Sequence, residues 1–195
     1  MAKIFCIIGK SGSGKDTIFK EVKNKTNLKS IVGYTTRPMR EGEVDGREYF
    51  FVSPERLLEL EASDQVIECR NYETVHGIWS YFTVADKQIT DLNEDCIYIA
   101  TLESYSRLVE YLGRNKVVPI YIELEDGLRL KRALEREINQ DKPKYAELCR
   151  RFIADSNDFS EEHIRKAGII KRFENTDLDK CVGEIIDYIE SVREN

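Results

Sequence analysis

No stretch of this sequence approaches the roughly 18 consecutive apolar residues that a membrane-spanning helix needs. Its best apolar run, Ile4 to Ile8, has the length of a strand. Met1-Ala2-Lys3 leads straight into that run, leaving no secretory leader with a long apolar region and cleavage site. Histidine is scarce, with only His76 and His163, and no Ser/His/Asp or Cys/His set suggests a nucleophilic hydrolase. The five cysteines (Cys6, Cys69, Cys96, Cys149 and Cys181) are odd in number, widely spaced and free of any C-x-x-C pair. That pattern argues against zinc, a disulfide framework and a disulfide-linked partner, and places the chain in a reducing cytoplasm. Positive charge is also short: 30 Lys and Arg against 36 Asp and Glu give a net charge of −6, which disfavours nucleic acid as a partner. Any anion must then be held by a local basic cluster working against the global field.

What remains is a soluble chain with one core. Hydrophobic residues make up 41% and charged residues 34%, a balance of globular and not disordered proteins. A chain of 195 residues suits one domain, monomeric or homodimeric, that buries roughly 70% of its unfolded surface. There are no repeats and no low-complexity linker.

Strand and helix patterns alternate along most of the chain. Lys3 to Ile8 is continuously apolar, as in a strand covered on both faces. A glycine-rich turn and a helix from about Asp16 to Lys23 follow. Cys96 to Ala100 and Val117 to Leu124 are two further buried strands, followed by helices near Glu103 to Leu112 and Gly127 to Ile138. The last unit is a strand over Ile169 to Phe173 and a helix from about Asp177, with Leu178, Val182, Ile185, Ile186 and Ile189 on one stripe. This alternation predicts an α/β fold with a mostly parallel sheet flanked by helices. Two segments interrupt it. About 34–83 is rich in aromatic residues, with strand-like pieces at Glu48 to Phe51 and Val66 to Tyr72 and a Ser53-Pro54 helix start between them. About 129–158 is highly charged and helical, broken at Asp141-Lys142-Pro143, with Arg150 and Arg151 opening the second run. The expected organisation is a single domain with core 1–33, 84–128 and 159–195 and two insertions over its binding edge.

Gly9-Lys10-Ser11-Gly12-Ser13-Gly14-Lys15 fits G-x-x-x-x-G-K between a strand and a helix, the context in which that motif binds a nucleoside triphosphate. The glycines let backbone N–H groups converge on a phosphate, the helix N-terminus adds partial positive charge, and Lys15 can reach the β- and γ-phosphates. Asp16 stands where Ser or Thr usually supplies a hydroxyl to the metal side. A carboxylate is favoured in a first helical turn, so Asp16 reads as a solvated helix-start residue. Thr17 is then the candidate hydroxyl beside phosphate or magnesium. Further on, Arg37 and Arg40 flank Pro38, with Tyr49 beyond two turn signals. Arginine forks and a tyrosine hydroxyl suit a phosphate clamp, although the same arginines also suit a charged surface loop.

Gly9 to Thr17, "TTRPMREGEVDGREYFFVS" (Thr35 to Ser53), Val66-Ile67-Glu68 and the stretch Phe173 to Lys180 together resemble the guanylate kinase family. The resemblance runs in blocks over most of the chain. It implies a P-loop NTPase fold with an NMP-binding insertion and a helical lid, and ATP with magnesium as phosphoryl donor. It implies an acceptor, GMP or dGMP, whose phosphate is held by Arg37, Arg40 and Tyr49. Glu68 would read guanine, because an ionised carboxylate can accept from both N1–H and the 2-amino group. Asn175 would meet the ATP base, or else only start the turn before the last helix. Arg136 and Arg151 would come over the transferring phosphoryl group from the lid, although its Glu residues also allow ordinary salt bridging. Some family positions differ: Gly33-Tyr34 stands for serines, Val75-His76-Gly77 for a second phosphate-binding tyrosine, and Ile97 to Thr101 lacks two aspartates. Ala100 therefore cannot share base recognition, and Glu103 is a candidate substitute. His76 either touches the acceptor or is structural. Two other readings stand beside this one: a P-loop kinase for a different small acceptor, and a non-catalytic guanylate-kinase-like module that binds proteins.

Overall fold

The computed structural model describes residues 1–74 and 77–194. In chain order the elements are β1 (Ile4–Ile8), α1 (Lys15–Lys25), β2 (Lys29–Ser30), β3 (Tyr34–Thr35), β4 (Phe50–Phe51), α2 (Pro54–Ala62), β5 (Val66–Thr74), β6 (Gly77–Val84), α3 (Lys87–Thr90), β7 (Cys96–Ile99), α4 (Leu102–Leu112), β8 (Val117–Glu123), α5 (Asp126–Ile138), α6 (Tyr145–Asp158), α7 (Glu161–Lys166), β9 (Arg172–Glu174) and α8 (Leu178–Glu194). No helix among the described residues is long and apolar enough to cross a membrane.

The first sheet runs β2-β7-β1-β8-β9, with every pairing parallel. β1 lies in the middle, and its side chains divide by the two-residue period of a strand. Phe5 and Ile7 face Ile18 and Val22 of α1 and Val182, Ile185 and Ile189 of α8. Ile4, Cys6 and Ile8 face Tyr105 and Leu108 of α4 and Ile164 of α7. Both faces are therefore buried, which is why β1 tolerates no polar residue. Pro119 sits inside β8 opposite Cys6. It precedes Tyr121, where β9 begins to pair, so β8 has only one neighbour there and a missing N–H is tolerable. The chain leaves β1 towards β2 on one side and returns to β8 on the other. The strand order thus reverses at β1, and ligands bind such sheets outside the carboxyl ends of the strands at that point.

The second sheet runs β4-β3-β6-β5 and is mixed. Ser53 caps α2 through its side chain, accepting from the Arg56 N–H at 3.2 Å with Pro54 in the first turn. Leu57 and Leu60 of α2 pack on Phe82 and Val84 of β6. The alternation of β6 then turns Tyr81 and Thr83 to the opposite face, paired with Arg70 and Glu68 of β5. One face of this sheet is an apolar bed for a helix, and the other is polar.

Three local expectations are corrected. The strand expected over Ile169 to Phe173 starts only at Arg172, because Gly168 at φ 74° and the Ile169 N–H bonded to the Ile164 carbonyl belong to the end of α7. Arg150 and Arg151 do not open a helix; α6 begins at Tyr145. Glu48 is not in β4, since its carboxylate accepts from the Val44 N–H at 2.8 Å and closes a turn. Asp177 caps α8, with Oδ1 accepting from the Lys180 N–H at 2.9 Å. Phe5 is fully buried at the centre of the sheet. Replacing it with alanine should cost about 3–5 kcal/mol, read as a lower urea midpoint at unchanged slope.

Candidate active site

The loop after β1 takes its shape from two left-handed glycines, Gly12 at φ 81° and Gly14 at φ 88°. A Cβ on Gly12 would lie 2.8 Å from the Arg129 carbonyl oxygen, so this position excludes a side chain on two counts. Gly14 is the N-cap of α1 and carries no side-chain cap, which leaves the first N–H groups of the helix available to an anion. The loop carbonyls are held from outside. Asn175 Nδ2 donates to the Ser13 carbonyl at 2.8 Å, and Arg129 Nη1 donates to the Ser11 carbonyl at 2.8 Å. Asn175 Oδ1 and Ser13 Oγ are buried without a hydrogen-bond partner among the described residues. Lys15 is half-buried at the head of α1, and Asp16 and Thr17 are exposed in its first turn. Among the described residues Lys15 has no ion pair.

Arg129 is missed by sequence reading. It lies on a helix that reads as a solvated charged face, yet it is 1% exposed, stacked 4.6 Å over the Phe152 ring and bonded through Nε to Asp126 at 2.9 Å. The signal for it is helical spacing, since Arg129 and the buried Ala133 share one face of α5. Asp155 of α6 completes this corner. Its Oδ2 accepts from the Ser11 N–H at 2.6 Å and stands 3.5 Å from Arg129 Nη1.

A second cluster lies on the polar face of the second sheet. Arg37 is 3% exposed and gives Nη1 and Nη2 to the two Glu43 oxygens at 2.9 and 2.8 Å. Its Nε donates to the Tyr81 hydroxyl at 3.1 Å. Burial opposes the Arg37 charge most, and the contacts with Glu43 and Tyr81 together outweigh it, so its pKa lies above the ordinary value. The Tyr49 ring is edge-on to Tyr81 at 5.5 Å and lies under the Arg37 guanidinium at 5.8 Å. Burial and then Tyr81 raise the Tyr49 pKa. Arg40 is exposed and gives its backbone N–H to Glu43 at 2.7 Å. Tyr81, which sequence reading also missed, is a second tyrosine at this clamp. Its cross-strand register in the β5–β6 hairpin brings it there.

Glu68 is not an outward strand residue. It is 6% exposed, and Oε1 accepts from Thr83 Oγ1 at 2.6 Å and Ser104 Oγ at 3.0 Å. Oε2 accepts from Arg70 Nε at 2.9 Å. Tyr98 of β7 lies 3.0 Å from Thr83, and burial pushes its hydroxyl pKa up. Ser104, and not the exposed Glu103, is the α4 residue that reaches Glu68. Arg136 of α5 and Arg151 of α6 are both exposed. Arg151 pairs with Glu147 at 3.5 Å, Arg150 is bidentate to the same carboxylate at 2.8 Å, and Arg132 donates to the Asn175 carbonyl at 3.1 Å. His76 lies outside the described residues.

A glycine loop with available N–H groups, at the carboxyl end of the central strand of a parallel sheet and at the head of a helix, defines a P-loop nucleotide-binding protein. Comparison with known proteins narrows this. The family model described as guanylate kinase matches residues 1–192, and the chain belongs to that family. A guanylate kinase of Thermotoga maritima is 29% identical over 96% of this chain and 77% of its own length. One of Wolbachia pipientis wMel is 30% identical over 94% and 87%. A solved guanylate kinase from Anaplasma phagocytophilum shares the fold at a TM-score of 0.66 and 20% identity, covering 97% of this chain and 85% of the other. Gly12→Ala should leave the protein folded but weaken ATP binding at least tenfold, because the loop must shift to relieve a left-handed alanine; titration of ATP against both proteins checks this.

Proposed function

We propose that this protein transfers the γ-phosphoryl group of ATP to GMP or dGMP, giving the diphosphate. The observation that carries the reading is the buried Glu68 carboxylate, on the same polar face as the Arg37 and Tyr81 cluster. A base-recognising acceptor and a phosphate clamp thus share one cleft edge. Glu68 takes the N1–H and 2-amino donors of guanine. AMP presents a ring nitrogen without a proton at that place, which repels the carboxylate. Arg37, Arg40, Tyr49 and Tyr81 hold the acceptor phosphate. The segment 34–83 is the acceptor-binding insertion, and 129–158 is the lid that brings Arg136 and Arg151 to the transferring group.

An acceptor monophosphate is already anionic at neutral pH, so no general base is required. The chemistry asks for alignment and charge cancellation. Lys15 offsets charge on the β- and γ-phosphates, and the loop N–H groups fix the donor. With Asn175 Nδ2 given to Ser13, its Oδ1 is the atom left to accept from the donor base. Magnesium bound mainly by phosphate oxygens and water needs few protein ligands. Thr17 and Asp16, both open to solvent beside the loop, fit that requirement and would hold it. When bound, the ion neutralises phosphate charge. Cytoplasmic residence fits Cys6, Cys96 and Cys181, all buried as core residues.

The non-catalytic alternative is disfavoured by Lys15, a phosphate-gripping lysine that a protein-binding module has no use for. Lys15→Ala should abolish ADP release in a coupled assay with an unchanged thermal midpoint; near-native turnover would remove the phosphate-loop reading. In the same assay across GMP, dGMP, AMP, CMP, UMP and IMP, the native protein should favour guanine acceptors. Glu68→Gln should reduce kcat/KM for GMP at least tenfold relative to AMP, the size expected for a lost charge-assisted bond. A native preference for AMP or a pyrimidine would promote the different-acceptor reading.

A further inference from the structure

Glu68 alone reads only part of a guanine edge. Its carboxylate meets N1–H and the 2-amino group, and the next atom along that edge is O6, an acceptor that needs a donor. The neighbouring hydroxyls are committed elsewhere: Thr83 Oγ1 and Ser104 Oγ both donate to Glu68 Oε1, and Tyr98 is bonded to Thr83. Arg70 is placed differently. It stands two residues from Glu68 on β5, hence on the same face of the strand. Its Nε donates to Glu68 Oε2 at 2.9 Å and its Nη2 reaches Oε1 at 3.5 Å, which fixes the plane of the guanidinium against the carboxylate. The side chain is 18% exposed while that of Glu68 is 2% exposed, so the arginine covers the open side of the carboxylate. Nη1 donates to no described residue.

The count of acceptor sites agrees. A carboxylate offers about four lone-pair directions. Thr83 and Ser104 use two on Oε1, and Arg70 adds a long Nη2 contact to Oε1 and its Nε on Oε2, so all four are engaged. A guanine bringing two donors needs the Arg70 bonds to loosen, and the displaced guanidinium then lies beside the base with donors to give. Arginine to the O6 and N7 acceptors of guanine is a geometrically favoured pairing.

Resting on the acceptor assignment above, we propose that Arg70 is a second base-reading residue. Its guanidinium, steered by Glu68, donates to O6 of the acceptor purine while Glu68 accepts from N1–H and the 2-amino group. The pair presents acceptor, acceptor and donor to the three edge groups of guanine. Adenine opposes both members, with an unprotonated N1 against the carboxylate and a 6-amino donor against the arginine. Arg70 thus supplies a donor to O6 that neither Glu68 nor the alanine at position 100 can give.

The test compares GMP with 6-thio-GMP, which keeps N1–H and the 2-amino group but replaces O6 with a weakly accepting sulfur. The native protein should favour GMP by about tenfold in kcat/KM, the scale of one charge-assisted hydrogen bond. Arg70→Met, of similar length, should lower kcat/KM for GMP about tenfold or more, chiefly through KM, and bring the GMP to 6-thio-GMP ratio close to one. Arg70→Lys keeps a charge beside Glu68 and should retain part of the ratio; it also serves if the methionine variant does not fold. If either folded variant loses activity equally towards both acceptors and keeps the native ratio, Arg70 only supports Glu68 and the inference is overturned. A native protein that does not phosphorylate GMP at all would instead overturn the acceptor assignment, so the two failures are distinct.

Discussion

A loop that leaves N–H groups at a helix head to a phosphate must satisfy its own carbonyls from elsewhere, because buried backbone acceptors without partners are costly. Much of the architecture around β1 follows from that constraint. The Ser13 carbonyl is met by Asn175, which follows β9, and the Ser11 carbonyl by Arg129 of α5. Both partners are buried. The loop is therefore braced from the far edge of the parallel sheet and from α5 together. The same bracing explains the crowding at the glycines: a Cβ on Gly12 would run into the Arg129 backbone, and one on Gly9 would stand 2.7 Å from the Ile122 carbonyl. These glycines answer to neighbours that exist to hold the loop, as much as to the phosphate.

An acidic chain that binds two polyanions must also store positive charge where a substrate can claim it. Four arginines around the site rest on carboxylates: Arg37 on Glu43, Arg70 on Glu68, Arg129 on Asp126, and Arg150 on Glu147. They differ in burial, and burial decides what each pair is worth. The exposed Arg150–Glu147 pair contributes little and costs little to break. The pairs at Arg37 and Glu68 are shielded, so an unpartnered charge there would be heavily penalised, and a phosphate or a base must replace the lost partner. The Glu43 carboxylate, held below its usual pKa first by Arg37, remains an anion ready to exchange.

Local features were legible in the sequence and long-range ones were not. The strand–loop–helix over Ile4 to Lys25 carries its own signals, an apolar run, spaced glycines and a lysine, and it stands as read. Ser53-Pro54 likewise announces α2. Glu68 is marked as a site residue by resemblance, but its hydroxyl partners are 15 and 36 residues away on β6 and α4, and nothing at Thr83 or Ser104 announces a shared carboxylate. Tyr81 reaches Arg37 only through the register of the β5–β6 hairpin, which sequence alone does not set. Arg129 is hidden for a different reason: a helix dense in charge looks uniformly solvated, and only the tertiary packing against Phe152 picks out the one buried member. The displaced start of β9 has the same origin, because a tertiary turn at Gly168 overrides an apolar run that would serve equally well as a strand.

Helix α6 and the loop are joined by one further bond. Asp155 puts a carboxylate oxygen on the Ser11 N–H at 2.6 Å, a short charge-assisted contact. An N–H has a single proton to give, so the atom that holds it excludes any other acceptor. In this conformation α6 is tied to the loop by an anion of the chain itself, and Arg129 stands 3.5 Å from the same oxygen and balances its charge. The corner thus contains an anion, a loop N–H and a buried cation in the arrangement that a phosphate group would also satisfy. One helix, α6, is therefore in direct electrostatic contact with the phosphate loop.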